Sequence, residues 1–176
     1  VTMVLYVNGK NPKVKMTAQI TGGGHEYGRR SGTLPVHQIV GFGKAIEICD
    51  PNENEKLAIL QKMLIDGIVA AHPDVQLNGS REYGLENNIN ASFSGLDAET
   101  IIGKMKGIAC STGSACSTAN LEPSHVLKAI GLKNEMAHSS IRFSLGRFNT
   151  KEEIINAIDE INRIVSEMKD KSPRNL

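Results

Sequence analysis

The ten residues from Ser111 to Asn120 limit most strongly what this chain can fold into. They carry five hydroxyl side chains, two alanines, one glycine, one asparagine and one cysteine, Cys116. Such side chains offer little apolar surface to bury, and most of them favour turns over long helices or strands. We therefore predict a flexible polar loop that separates two structured regions and holds a thiol near its middle.

The overall composition bounds the remaining possibilities. Hydrophobic residues make up 40% of the 176 and charged residues 22%, which is enough for one sizeable core. A net charge of +1 gives no electrostatic reason to expect a nucleic acid or membrane partner, and no apolar run reaches membrane-spanning length. Three irregularly spaced cysteines argue against a disulfide framework and favour a reducing compartment, so we expect a cytoplasmic protein.

The first third of the chain combines apolar runs with a glycine-rich segment. Val1 to Val7 has the composition of a buried strand, and Lys13 to Ile20 alternates as a second strand after an Asn-Gly turn. The segment from Thr21 to Thr33 contains five glycines. Glycine lets a backbone approach a ligand closely, often a phosphate, although a connector without a ligand fits the segment equally well.

The rest of the chain alternates between helical and strand periodicity. The pattern predicts two helices over 34–49 and 57–72, or one long helix interrupted between them. Strands are predicted over 75–79, 88–93, 108–110 and 140–145, and further helices over 97–105, 123–130 and 150–168. Asp97 is the expected N-cap of one helix, and Thr150 with Glu153 forms a capping box for the last. We expect an α/β fold with a small α+β domain, divided into 1–35, 36–72 (connecting helices) and 73–176 (small domain with the cysteine loop).

Cys116 is the first candidate for chemistry, because a nucleophilic thiol needs both thiolate character and access. Cys110 ends an apolar strand and is expected to be an inert thiol. A zinc site formed by these two cysteines with His125 and His138 fits no standard ligand spacing, so we predict no metal site.

Arg142 is the second candidate. Strand alternation places it on the face of Ser140 and Ser144, where a guanidinium can bind a carboxylate in bidentate fashion. A plain surface arginine is an equally good interpretation of the spacing. Arg147, just beyond the strand, is expected to be solvated or to contact a helix.

Three segments together carry a resemblance to a known family: Gly22–Thr33, Ser111–Cys116 and His138–Phe148. In order and spacing they resemble the pyridoxal-phosphate-dependent cysteine desulfurases of the NifS/IscS type, in the class V aminotransferase family. The resemblance implies the C-terminal part of a fold-type-I transferase, with residues 1–35 as an incomplete edge of the large cofactor-binding domain.

The resemblance also implies roles for particular residues. Cys116 would take the sulfur of L-cysteine as a persulfide, leaving L-alanine, and Arg142 would hold the substrate carboxylate. Thr33 would contact the phosphate of pyridoxal 5'-phosphate in the neighbouring subunit of a homodimer. The persulfide would pass to a sulfur acceptor, such as an iron–sulfur scaffold or a tRNA-thiolation enzyme, and selenocysteine stays open as a second substrate.

The Schiff-base lysine of the family lies in a His-Lys pair that does not occur in this sequence. We therefore expect the chain to be a fragment or half of the enzyme, inactive by itself and dependent on an N-terminal half. The alternative is a non-catalytic sulfur carrier or subunit-binding module derived from the family, which would use Cys116 without a cofactor.

Overall fold

The computed structural model describes residues 3–112 and 123–171. The chain divides into two compact units, the first ending at Asp50 and the second beginning at Pro51. This boundary lies inside the predicted connecting segment 36–72. This boundary does not decide between the three predicted domains, and their assignment stays a prediction.

The first unit contains little regular structure. Helix α1, Val36–Glu47, confirms the first predicted helix, and a short 3-10 helix, His25–Gly28, lies within the glycine-rich segment. The two predicted strands are wrong for the residues described, since 3–20 contain no strand. A strand needs a neighbour to pair its backbone groups, and Met3 and Tyr6 are 88% and 86% exposed instead of packed in a sheet.

The second unit is built on a three-stranded antiparallel sheet. Strand β2, Asn88–Ser92, lies between β1, Gln76–Leu77, and β3, Ser140–Ser144. Asn88 pairs with Ser144, Asn90 with Arg142 and Ser92 with Ser140. All three strands fall where the pattern predicted them. Residues 108–110 form no strand, and the residue after them, Ser111, forms an isolated bridge.

Five helices accompany this sheet within the described residues: α2, Glu53–Ala71; α3, Ala98–Lys104; α4, His125–Ala129; α5, Asn134–His138; and α6, Lys151–Lys171. The predicted cap of α3 is confirmed, because Asp97 Oδ2 accepts from the Thr100 N–H at 2.7 Å. The capping box of α6 is confirmed as well. Glu153 N–H donates to Thr150 Oγ1 at 3.2 Å, and Thr150 N–H donates to Glu153 Oε2 at 3.0 Å.

The core of the second unit lies between α2, α6 and one face of the sheet. The central side chains come from these three elements and the loop after β2: Leu60, Leu64, Ile68, Ile89, Ala91, Phe93, Ile141, Phe143, Ile161, Ile164 and Val165. Because side chains alternate along β2 and β3, burying Ile89, Ala91, Ile141 and Phe143 places the polar residues between them on the opposite face. That polar face carries the candidate site.

Candidate active site

Arg142 lies in the middle of β3, and the alternation of that strand decides which face it occupies. Ile141 and Phe143 on either side are 0% and 3% exposed and belong to the core. Arg142 is exposed on the polar face. Its guanidinium has no hydrogen-bond or ion-pair partner within the described residues. The guanidinium group carries a permanent positive charge and several N–H donors in one plane. Held on a paired strand, it is well suited to bind a carboxylate.

Arg147 differs from Arg142 because it is engaged by α2. Its Nε lies 3.2 Å from Glu53 Oε1, and its carbonyl oxygen accepts from Lys56 Nζ at 2.7 Å. These contacts confirm the expectation of a helix-contacting arginine. The two arginines are five positions apart in sequence and have different partners.

The polar segment that contains Cys116 begins beside Arg142. The backbone N–H of Arg142 donates to the Ser111 carbonyl oxygen at 2.6 Å, and the backbone N–H of Ser111 donates to the Arg142 carbonyl oxygen at 3.2 Å. These two bonds extend the sheet by one residue on the free side of β3. Cys116 itself lies outside the described residues, but the start of its segment is fixed at the strand that carries the arginine.

A hydrogen-bonded network occupies the polar face next to Arg142. Asn78 Nδ2 donates to Asn90 Oδ1 and to Ser92 Oγ, both at 2.7 Å. Ser92 and Ser140 are 0% exposed, and both hydroxyls donate to the Met136 carbonyl oxygen, at 3.1 and 2.7 Å. Sequence reasoning missed this network. The alternation of polar residues along both strands indicates that these side chains share one face. Which of them are neighbours depends on the register of the strands, which the sequence pattern does not give.

The glycine-rich segment of the first unit offers one side chain that suits the phosphate of the expected cofactor. Its ends are held together by the Ser31 N–H, which donates to the Ile20 carbonyl oxygen at 3.0 Å. Thr33 is exposed, and its hydroxyl has no partner within the described residues. It follows Gly32, whose φ of 111° is in the region that favours glycine. A hydroxyl donor without a partner, next to such a glycine, is chemically suited to bind a phosphate oxygen.

The described cysteine of the second unit is a poor nucleophile. Cys110 is half-buried, its Sγ lies 3.5 Å from Met105 Sδ, and burial raises the pKa of its thiol. It is mostly protonated at neutral pH for that reason, as expected for an inert thiol. No three His, Cys, Asp or Glu side chains cluster as metal ligands within 3–112 and 123–171. No helix in that part of the chain is long and apolar enough to cross a membrane.

Comparison with known proteins places these features in a wider context. The aminotransferase class-V family matches residues 4–156. The cysteine desulfurase IscS of Escherichia coli (strain K12 / DH10B) is 50% identical over 172 residues, which is 96% of this chain and 42% of the relative. The protein of the same name from Shigella boydii serotype 18 gives the same values. The chain thus spans about two fifths of the length of these relatives.

Solved structures agree with the sequence relatives. A NifS-like protein from Rickettsia africae is 31% identical, with a TM-score of 0.71 over 87% of this chain and 41% of the other. A second NifS-like protein gives the same TM-score at 28% identity, over 88% and 40%. SspA in complex with cysteine has a TM-score of 0.54 at 28% identity, over 77% of this chain and 37% of that one.

Proposed function

Since this chain belongs to the aminotransferase class-V family, we propose that it supplies the substrate-binding and sulfur-accepting part of a cysteine desulfurase. The family membership and the NifS/IscS relatives confirm the predicted resemblance and the predicted fold class. The observation that carries the proposal is the Ser111–Arg142 bridge. It joins the start of the cysteine segment to the strand that presents the free guanidinium.

Arg142 is proposed to bind the α-carboxylate of L-cysteine. Its side chain is exposed and unpaired within the described residues, and β3 is paired on both sides at this position. A bidentate, charge-assisted contact from a rigid strand would orient the substrate as well as hold it.

Cys116 is proposed as the nucleophile. It lies five residues beyond Ser111, so covalent geometry limits the distance between their Cα atoms to about 17 Å. The Cys116 thiolate attacks the sulfur of the bound cysteine, forming an S–S bond as the substrate Cβ–S bond breaks. The electron pair of that bond stays on the carbon fragment, which takes up a proton and leaves as L-alanine. Cys116 is left as a persulfide.

The family implies pyridoxal phosphate as the cofactor, and the chain offers one group that fits it. Pyridoxal phosphate, when bound, supplies the electron sink that makes the Cβ–S bond cleavable. Thr33 is proposed to donate its hydroxyl to the phosphate held by the neighbouring subunit of a homodimer. The lysine that binds the cofactor is proposed to lie outside this chain, because the sequence contains no His-Lys pair.

The finer assignments follow from the same proposal. Residues 1–35 would belong to the cofactor-binding domain and 73–176 would form the small domain. Residues 36–72 would form the helices that connect these two domains. The persulfide would pass in the cytoplasm to an acceptor protein, for iron–sulfur cluster assembly or tRNA thiolation.

The test uses the native gene product that carries this chain, with pyridoxal phosphate and L-cysteine. We expect L-alanine in each reaction, an added mass of one sulfur atom on the Cys116 peptide by mass spectrometry when no reductant is present, and sulfide when a dithiol is added to reduce that persulfide. Cys116→Ser should lower sulfide release on the order of 1,000-fold. Cys49→Ser is the matched control, because Cys49 is an exposed free thiol of the first unit.

Two outcomes would contradict the proposal. Persulfide formation on a cysteine other than Cys116 would remove its assigned role. Transfer of sulfur from a donor persulfide to Cys116 without cofactor, and without alanine formation by the native protein, would identify a sulfur carrier instead of an enzyme.

A further inference from the structure

The register of the sheet sets Asn90 directly beside Arg142. The two residues are partners across β2 and β3, so their side chains lie on the same face. Arg142 is exposed and Asn90 is half-buried. At the next pair on the same face, Ser92 and Ser140 are 0% exposed, and both hydroxyls lie within hydrogen-bond distance of the Met136 carbonyl oxygen of α5. The accessible part of this polar face therefore begins at the Asn90–Arg142 pair.

The orientation of the Asn90 amide is fixed from the other side. Asn78 Nδ2 donates to Asn90 Oδ1 at 2.7 Å, and Asn78 N–H donates to the Asn90 carbonyl oxygen at 2.8 Å. The hydroxyl protons of Ser92 and Ser140 find acceptors in the Met136 carbonyl oxygen and, across an Oγ–Oγ contact of 2.8 Å, in the neighbouring serine. The serine oxygens are left to accept, so the Asn78 amide turns its nitrogen toward Ser92 and Asn90, and Asn78 Oδ1 is buried without a hydrogen-bond partner among the described residues.

These contacts leave the side-chain nitrogen of Asn90 as a hydrogen-bond donor without a partner among the described residues. With Oδ1 engaged by Asn78, the Asn90 amide directs Nδ2 away from Asn78, and Nδ2 has no partner within the described residues. The charged guanidinium of Arg142 and the neutral amide donor of Asn90 then lie side by side on adjacent strands. An ionised carboxylate accepts several hydrogen bonds at once and matches this pair.

We infer that Asn90 is a second carboxylate-binding residue of the substrate site, held in its donating orientation by Asn78. The inference rests on the proposed function, because it assigns the ligand of the same site. Asn90 makes the site selective for a free α-carboxylate over an amide or ester, since both Arg142 and Asn90 offer only donors to it. Asn78 acts through Asn90 as a positioning residue.

The test measures the equilibrium affinity for L-alanine and for L-alaninamide by calorimetry, using the native gene product loaded with pyridoxal phosphate. Alanine has the α-amino acid end of the substrate and no sulfur to transfer. Asn90→Ala should weaken alanine binding about tenfold and leave alaninamide binding nearly unchanged. Asn90→Asp should weaken alanine binding further, because it keeps the acceptor for Asn78 and replaces the free donor by a negative charge.

Asn88 provides matched controls. It lies on the same face of β2, two residues before Asn90 and opposite Ser144, and it is exposed. Asn88→Ala should leave the affinity for alanine unchanged, and Asn88→Asp should change it less than Asn90→Asp, because its charge lies further from Arg142. Circular dichroism of each variant shows whether the fold is retained, and the isosteric Asn90→Asp keeps the test decisive if Asn90→Ala unfolds.

The outcomes separate this inference from the proposed function. If Arg142→Ala abolishes the preference for alanine over alaninamide while both Asn90 variants keep it, the role of Asn90 is overturned and the proposed function stands. If the native protein shows no preference for alanine over alaninamide, both are overturned. The inference is supported when both Asn90 variants reduce the preference for alanine about tenfold or more and both Asn88 variants keep more of it than the matching Asn90 variants.

Discussion

His72 is a buried titratable side chain at the C-terminal end of α2. It is 5% exposed, and its Nε2 is buried without a hydrogen-bond partner among the described residues. Burial lowers the pKa of this imidazole, and the nearby Lys169 ammonium lowers it further. Asp74 and the Asn162 backbone raise it, with smaller effects. The neutral form is therefore the one that fits the folded state.

This lowered pKa makes stability depend on pH in a defined direction. In the unfolded chain the imidazole regains its ordinary pKa of 6.5, so below that pH the unfolded state binds more protons than the folded state. The free energy of unfolding should decrease as the pH is lowered through 6.5, and the effect should level off below the folded pKa. His72→Gln removes the titration and should flatten this part of the profile in urea unfolding followed by circular dichroism.

His125→Gln is the control for that measurement. His125 is exposed on α4, so its replacement should leave the slope between pH 7.5 and 5.5 at the native value. A native slope in His72→Gln would show that other groups cause the acid sensitivity.

At the scale of elements, α2 and α6 pack against each other at Gly67. The two helices run side by side in the same direction, since Asn162 Nδ2 donates to the Gly67 carbonyl oxygen at 3.1 Å and Lys169 Nζ to Asp74 Oδ1 at 2.6 Å. A Cβ atom at Gly67 would lie 2.7 Å from both Cγ2 and Cδ1 of Ile158. Glycine is required here for close packing, although it lowers helix propensity.

We expect Gly67→Ala to destabilise the second unit by about 1–2 kcal/mol, because overpacking outweighs the gain in helix propensity. Gly103→Ala in α3 is the matched control. Nothing lies within 4 Å of a Cβ at that position, so it should stabilise by about 0.5–1 kcal/mol. Urea unfolding measures both, and Ile158→Val should restore part of the loss when combined with Gly67→Ala. Equal effects of the two glycine variants would contradict the packing argument.

The elements also show what the sequence could and could not predict. Periodicity predicted α1, α2, α3, α6 and the strands β2 and β3, since each carries apolar residues at regular spacing; all of these except α1 bury them in the core. Helix α5, Asn134–His138, was missed because five residues carry less than two turns of pattern. The segments 3–7 and 13–20 have strand-like composition, but strand formation depends on a partner that composition does not supply.

The candidate site was predicted in part. Alternation placed Arg142 on the polar face, and the resemblance singled out Thr33 and Cys116, whose roles stay predictions. The Asn78–Asn90 contact was not predictable, because it depends on the pairing of β1 with β2 and on a side-chain rotamer. Register and rotamers are set by packing across the whole unit, which a local pattern does not record.

At the scale of the whole molecule, burial is distributed very unevenly. No side chain from Met3 to Asp50 is buried, whereas the buried side chains among the described residues lie from Leu57 onward. We expect a chain of residues 51–176 to unfold cooperatively in urea. Its free energy of unfolding should match that of residues 1–176 within about 0.5 kcal/mol, since the removed part contributes no buried surface of its own.

The measurement compares the urea midpoint and the slope m of the two chains by circular dichroism. A non-cooperative transition in 51–176, or a midpoint shifted well below that of the longer chain, would show that the first unit stabilises the second. Residues 1–50 by themselves should give no cooperative transition.

The two hydrogen bonds between Ser111 and Arg142 also bear on how often the thiol and the substrate meet. A tether of five residues confines Cys116 to a sphere of about 17 Å radius around Ser111. One thiol in that volume corresponds to an effective concentration on the order of tens of millimolar. If Arg142 binds the substrate as proposed, encounter of the two is intramolecular and independent of the cellular concentration of thiols. Lengthening the segment between Ser111 and Cys116 would dilute the nucleophile while leaving substrate affinity unchanged.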